Sequence, residues 1–268
     1  MGKRIVITGS TRGIGNGLAR EFLKRRCRVA ISGRSASQVE AVVAELGQYY
    51  GESRVCGAAC DITESDQLQA LWDAAVEAFG GVDVWVNNAG VSIERLPLWE
   101  QRDQDLAALV DTNLTGALLA SKTAIANMLQ QGHGQIWNTE GFGSDGATQP
   151  GMAAYGSTKR AVRYLQRALR KDTAGTRVQV CTVSPGIVVT ELLTGDYDIT
   201  SEQFEKAKRI FNILADDVHT VTPWLADHML VADKSGARVV WLTRRKAFAR
   251  FMTAPFRTRD LFAHLDTE

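Results

Sequence analysis

Residues 3–15 read Lys3-Arg4-Ile5-Val6-Ile7-Thr8-Gly9-Ser10-Thr11-Arg12-Gly13-Ile14-Gly15, and the helical pattern Leu18, Ala19, Phe22, Leu23 follows directly. The apolar run 3–8 predicts a short buried strand. Strand, glycine turn and helix in this order form a phosphate-binding unit. Glycines let the backbone come close to a phosphate, and the helix N-terminus offers free N–H groups and a partial positive charge. The spacing G-x-x-x-G-x-G differs from the G-x-G-x-x-G fingerprint. A glycine-rich turn without a ligand is the plain alternative. Further along, strand-like runs at 28–32, 54–59, 82–86, 135–139 and 178–183 alternate with helical stretches starting near 64 and spanning 100–131 and 151–171. That alternation predicts an α/β protein with a doubly wound parallel sheet. Ligands then bind beyond the C-terminal ends of the strands.

The 268 residues are 45% hydrophobic and 23% charged, with a net charge of +1. This fits one large domain, 1–268, with a full core. The near-neutral balance argues against nucleic acid as a partner. Cys27, Cys56, Cys60 and Cys181 lack zinc-like pairing, so no metal is expected, and free thiols suit a reducing compartment. Gly2-Lys3-Arg4 runs straight into Ile5-Val6-Ile7 without the pattern of a signal peptide. No apolar run is long enough to span a bilayer.

Several polar residues fall at the predicted strand ends. The second strand ends in Ser32-Gly33-Arg34-Ser35, where an NAD site usually carries an acid for the ribose 2′-hydroxyl. Arg34, with Arg12 from the glycine loop, can instead bracket a 2′-phosphate, so NADPH is the expected cofactor. Asp61, followed by Ile62, either faces an adenine ring or caps the helix near Glu64. The fourth strand runs into Asn87-Asn88-Ala89-Gly90, which is either a ribose-holding turn or a plain Asn-Gly-type turn. Asn113 sits amid Leu109, Val110, Leu114 and Leu118 and needs a partner if buried. It either orders a water or is satisfied structurally. Tyr155 and Lys159, four apart in a predicted helix, share one face. A buried ammonium beside a phenol favours the phenolate, so Tyr155 can exchange a proton with a carbonyl oxygen or alcohol near neutral pH.

T-G-x-x-x-G-I-G, N-N-A-G, Y-x-x-x-K and S-P-G in this order resemble the short-chain dehydrogenase/reductase family over about residues 3–190. The resemblance implies a Rossmann-type fold and hydride transfer between nicotinamide and a carbonyl carbon. It implies that Tyr155 is the general acid, that Lys159 steadies the phenolate and holds the nicotinamide ribose, and that Asn113 carries the proton-relay water. The cofactor site it implies comprises Gly9, Ser10, Thr11, Arg12, Gly13, Ile14 and Gly15, then Arg34, Ser35, Asp61, Ile62, Asn88, Ala89 and Gly90. Pro185, Gly186, Ile187 and Thr190 complete it at the nicotinamide end. A homo-oligomer is the family's usual state.

The family normally carries a serine about thirteen residues before the tyrosine. Here the stretch is Asn138-Thr139-Glu140-Gly141-Phe142-Gly143-Ser144, which places Gly141 or Phe142 at that position. Losing one donor to a developing oxyanion costs on the order of a hundredfold in rate. Ser144 and Thr139 are the candidate hydroxyls. An acid followed by Gly here, then Y-G-S-T-K, S-P-G-x-V-x-T-E-L-L and Ser235–Thr243, is similar to the chlorophyll b reductases. This implies that Glu140, Gly141 and Phe142 meet a tetrapyrrole whose C7-formyl group is reduced to hydroxymethyl. Another bulky aldehyde or ketone is the alternative substrate. A catalytically weak NADP-binding regulator is the alternative of another class, against which the intact Asn113, Tyr155 and Lys159 argue. A cytoplasmic or stromal-type soluble compartment follows, with peripheral membrane contact as an option.

Residues 191–216 are expected to form a substrate lid, a polar loop with Asp196 and Asp198 and then a helix with Phe204, Ala207, Ile210, Phe211 and Leu214 on one stripe. The tail, about 244–268, is basic. Between 238 and 259 stand seven Lys/Arg and no acid, interleaved with Phe248, Phe251, Met252 and Phe256. Such a segment either lies on an anionic membrane or pigment–protein surface, or packs its Phe face on a neighbouring subunit.

Overall fold

The computed structural model describes residues 2–195, 197, 201–256 and 259–263, the side chain of residue 203 excepted. Asp196 and Asp198 of the expected loop, Arg257 of the tail and residues 264–268 lie outside these. In chain order the elements are β1 (Arg4–Ile7), α1 (Gly13–Lys24), β2 (Arg28–Gly33), α2 (Ala36–Tyr50), β3 (Val55–Ala59), α3 (Ser65–Phe79), β4 (Val84–Asn87), α4 (Asp103–Val110), α5 (Gly116–Gln131), β5 (Gly134–Thr139), α6 (Ala153–Asp172), β6 (Val178–Ser184), β7 (Val188–Val189), α7 (Glu191–Thr194), α8 (Glu202–Leu214), β8 (Asp216–Asp217), α9 (Val218–Val231), β9 (Arg238–Val240) and α10 (Arg244–Thr253).

Seven strands form one parallel sheet in the order β3-β2-β1-β4-β5-β6-β9. The chain winds outward from β1 to β3, then returns to the other side of β1 with β4. The crevice at that reversal is where a parallel sheet binds ligands. Strands covered on both faces read as unbroken apolar runs; Ile5, Val6, Ile7 and Val84, Trp85, Val86 are all buried. One layer of core joins the sheet to α1, α2 and α9 through Leu18, Phe22, Val39, Leu46, Val221 and Leu225. The opposite layer joins it to α3 and α5 through Leu68, Trp72, Ala124 and Met128.

Two expectations change. The single helix expected over 100–131 is α4 and α5 joined by a π turn, Asp111–Thr115, which contains Asn113. The edge strand β9 and the helix α9 extend the sheet and its cover beyond the strands expected from the sequence.

Residues 187–215 and the tail share a third, separate cluster. Phe204, Phe211 and Phe262 are buried together with Ala215, and Ile187, Leu193, Tyr197 and Ala207 pack around them. Phe204 and Phe262 meet edge to face, with centroids 5.7 Å apart. Ile210, expected on this stripe, is 44% exposed; each residue turns about 100° around a helix, so the neighbour of Phe211 faces outward. The tail is less free than its composition suggests. Arg250 and Arg259 both pair with buried Asp216, at 2.8 and 3.0 Å, and Trp241 Nε1 donates to the same carboxylate at 2.6 Å.

Candidate active site

The glycine loop is fixed from below. Ser10 Oγ donates to Ile7 O at 2.8 Å and accepts from Ser32 N, while Ser10 N donates to Ser32 O. The cofactor contact expected of Ser10 is therefore indirect, because its side chain and N–H are committed to β1 and β2. Asn88 is used in the same way: its Nδ2 donates to Thr8 O and Gly9 O, at 3.0 and 2.9 Å. Thr8 Oγ1 in turn accepts from the N–H groups of Asn88 and Ala89. The first turn after β1 and the turn after β4 are thus tied across the crevice. Gly9 and Gly13 have φ of 61° and 56°, the left-handed region where a side chain is strained. A Cβ at Gly13 would meet Thr190 at an ordinary contact distance of 3.6 Å, so the glycine loop faces Thr190 across the cleft at the sheet's reversal. No side chain caps α1, whose first N–H groups therefore point to that cleft. An anionic pyrophosphate fits this cradle.

At the outer end of the cleft, Arg34 is exposed just beyond β2. Asp61 accepts from Thr63 N and Oγ1, and these bonds, with the charge of Arg34 nearby, hold its carboxyl below the usual range. Arg34 and Asp61 thus share one corner. Asp61 closes a turn onto Thr63, and Glu64 is the cap residue of α3, so the capping role is not the one Asp61 takes. Ile62 is buried against Gly116. Ser35 caps α2, accepting from Gln38 N at 3.3 Å. Arg12 is exposed beside the cleft but is paired with Glu191 at the start of α7. Pro185 and Gly186 form the turn after β6, with Ile187 leading into the aromatic cluster.

The proton-handling residues converge at the inner end. Tyr155 and Lys159 lie in the first two turns of α6, with Lys159 Nζ 5.7 Å from the centre of the Tyr155 ring. Lys159 is buried, and burial pushes its ammonium down to about 8. Asn113 Oδ1 accepts from Val91 N at 2.8 Å and its Nδ2 donates to Val91 O at 2.9 Å. The side chain is thereby satisfied structurally, holding the irregular segment that follows the Asn-Asn-Ala-Gly turn. The π turn around it is a local irregularity of the kind found at functional sites, because it interrupts the regular carbonyl ladder. A Cβ at Gly90 would lie 3.1 Å from Asn113 Oδ1 and 3.4 Å from Lys159 Nζ. That turn, the π turn and α6 therefore meet at the lysine.

The serine position is settled by the same kind of contact. A Cβ at Gly141 would sit 2.6 Å from Tyr155 Oη and 3.1 Å from Lys159 Cγ. Gly141 is the residue that faces the tyrosine; Phe142 is part-exposed beside it. Of the two candidate hydroxyls, that of Ser144 is committed to the turn itself. Buried Ser144 accepts from Gly141 N and donates to Lys159 O, bracing the turn. Thr139 Oγ1 lies inward, lining a cavity of about 10 Å³ with Lys159, Asn113, Asn138 and Asn87. Glu140 is a correction. Its buried carboxylate is gripped by Arg238 at 2.6 Å, with Arg163 at 3.8 Å, so it anchors β9 and α6 to the end of β5 and is not open to a substrate. A buried ladder Trp85–Asn87–Asn138, with Ser121 alongside, supports this floor and carries no local signal in the sequence.

Residues 3–200 match the family model described as short chain dehydrogenase. A probable chloroplastic chlorophyll(ide) b reductase of Arabidopsis thaliana is 36% identical over 94% of the chain, which spans 53% of that relative. A second chloroplastic chlorophyll(ide) b reductase of the same plant is 37% identical over 93% of the chain and 72% of the relative. The chain therefore spans about half the length of the first and under three quarters of the second. Among solved structures, a gluconate 5-dehydrogenase of Burkholderia cenocepacia, in complex with NADP and tartrate, superposes with a TM-score of 0.76 at 27% identity, covering 90% of this chain and 93% of its own. With a parallel sheet, a glycine loop at the end of β1, a tyrosine–lysine pair on α6 and a family match over residues 3–200, the chain belongs to the short-chain dehydrogenase family.

Proposed function

We propose that this chain uses NADPH to reduce the C7-formyl group of chlorophyll b or chlorophyllide b to a hydroxymethyl group. The observation that carries the reading is the likeness, along nearly the whole chain, to relatives named chlorophyll(ide) b reductase, in a protein whose tyrosine–lysine corner is complete. The glycine loop and the α1 N-terminus would hold the pyrophosphate, and Arg34, with Arg12 if released from Glu191, the 2′-phosphate. When bound, the nicotinamide supplies the hydride. Tyr155 Oη gives a proton to the carbonyl oxygen, so that aldehyde, hydride and proton balance to the alcohol. The buried charge of Lys159 lowers the cost of the phenolate left behind.

Gly141 supports a large substrate held by its own surface. The tyrosine hydroxyl lies over the Gly141 Cα, and a serine cannot be built there without moving it. The aldehyde then relies on placement by extensive ring contact, which can replace part of a lost donor's contribution. The test is anaerobic incubation of purified protein with NADPH and chlorophyllide b, followed by absorption spectra and chromatography. Loss of the formyl pigment with appearance of its 7-hydroxymethyl product is expected. No conversion while NADPH still binds would reject the pigment and return the chain to a screen of bulky aldehydes and ketones.

A further inference from the structure

Helix α10 and the turn behind it have two unlike faces. The inner face is engaged: Arg250 reaches Asp216 and Leu214 O, and Lys246 Nζ lies 3.0 Å from the centre of the Trp241 ring. On the outer face Phe248, Met252 and Phe256, four residues apart, are 69, 62 and 88% exposed, and Phe251 beside them is 46% exposed. Single apolar residues scatter over any surface, but three large ones on one short helix and a fourth on the turn behind it mark an interaction site. Arg244 and Arg245 are exposed in the first turn of the same helix, which holds no acid. Cations at a helix N-terminus oppose the helix dipole. Asp145, at 3.9 Å from Arg244, is the carboxylate that approaches them. An external anionic partner would offset that arrangement.

We propose that the outer face of α10 docks on an anionic lipid bilayer. Phe248, Phe251, Met252 and Phe256 enter the headgroup–acyl boundary, and Arg244 and Arg245 meet lipid phosphates. Interfacial helices combine apolar burial with attraction to anionic lipid in this way. A second copy of the chain fits less well. A two-fold contact of this face with itself buries two basic surfaces against each other, and no acid occurs between 244 and 259 to offset them. No described helix is long and apolar enough to cross a membrane, so the contact is peripheral. Since α10 braces Leu214 at the end of α8, docking would hold the α8 segment at the surface where an apolar pigment partitions. Only this last consequence rests on the proposed substrate.

The test uses the full chain with vesicles of phosphatidylcholine alone and of phosphatidylcholine mixed with phosphatidylglycerol, read by co-sedimentation without pigment. Binding to the anionic vesicles is expected to be at least about tenfold tighter than to the neutral ones. The triple variant Phe248→Ser, Met252→Ser, Phe256→Ser should lose about tenfold or more of it. The pair Arg244→Glu, Arg245→Glu should lose its salt-sensitive part. NADPH binding should be unchanged in both variants, showing an intact fold. Equal binding to both vesicles, binding to neither, or binding indifferent to the substitutions would overturn the proposal. So would self-association in sedimentation that the serine variant abolishes. Because no pigment is present, these outcomes are independent of whether chlorophyllide b is turned over.

Discussion

The glycine-loop cleft and the α7–α8 segment with its tail are built by opposite means. The cleft is held by short hydrogen bonds between neighbouring strand ends: Ser10 to β1 and β2, Asn88 to the glycine loop, Asn113 to Val91. It is part of the sheet and cannot open without unpairing strands. The segment touches the sheet through few groups and has a core of its own, Phe204, Phe211 and Phe262. The Arg95 guanidinium over the Tyr197 ring, at 4.4 Å, and the Asp216 carboxylate between Arg250 and Arg259 close it. A unit with a private core and a single buried ionic hub can loosen as a unit while the sheet stays intact. The comparison teaches that the residues proposed for chemistry and cofactor binding are built into the sheet, while the segment expected to form the lid is held by a core of its own.

The largest expected effect tests the rigid half alone. Tyr155→Phe should lower the reduction rate by about a thousandfold or more, some 4 kcal/mol in the barrier. NADPH affinity should stay within about threefold, measured by fluorescence titration. Wild-type-like turnover in this variant would remove Tyr155 from its role. Next is the hub. Asp216→Ala leaves two largely buried guanidiniums unpaired, a loss of about 3–5 kcal/mol by precedent for such pairs. Limited proteolysis should then cut within 191–215 or 244–262 while NADPH still binds. Loss of NADPH binding in the same transition would erase the distinction between the two halves.

Lys159 gives a pH signature within the rigid half. Its pKa falls from 10.5 when free to about 8 when folded, so the folded protein holds its proton less firmly than the unfolded chain. Burying the charge then costs stability below pH 8, and that cost fades as pH rises from about 8 toward 10.5. Lys159→Met should therefore be more stable than the parent at pH 7, by about 3 kcal/mol, with the gap closing as pH rises from 8 toward 10.5. A constant gap in urea melts across this range would show that the lysine is not carrying a buried charge. The same loss of charge predicts that kcat/KM for reduction declines above about pH 8.

The first unit was legible because its signals are local. A strand, left-handed glycines and an uncapped helix lie within twenty-odd residues, and each demands its neighbours. Helical spacing puts Tyr155 and Lys159 on one face, but the pair is legible as a site only beside the glycine loop, the Asn-Asn-Ala-Gly turn and Asn113 in matching order. Asn113 was found, but not its π turn, since one inserted residue leaves the apolar pattern of residues 100–131 nearly unchanged. Glu140 misled for a different reason: its partner Arg238 lies 98 residues away, and a carboxylate's burial is invisible without that partner. The tail misled in the same way. Its arginines read as one basic run, yet Arg238, Arg250 and Arg259 are held by Glu140 and Asp216. Long-range ion pairs and ring clusters leave no period in a sequence.

The smallest effect separates two cations at the mouth of the cleft that sequence alone made equivalent. Arg12 and Arg34 were both expected at a 2′-phosphate. In the structure Arg12 is bonded to Glu191, across the cleft on the separable segment, while Arg34 stands beside Asp61 at the end of β2, within the rigid half. Recognition of the phosphate should therefore fall mainly on Arg34. Arg34→Ala should weaken NADPH by about tenfold, the scale of one charge-assisted contact, and leave NADH nearly unchanged. Arg12→Ala should cost less, since its guanidinium must first give up a carboxylate. Glu191→Gln, by freeing Arg12, should tighten NADPH slightly. If Arg12→Ala proved the more damaging of the two, the Glu191 pair would be incidental, and the cofactor would be gripped from the separable side of the cleft as well as the rigid one.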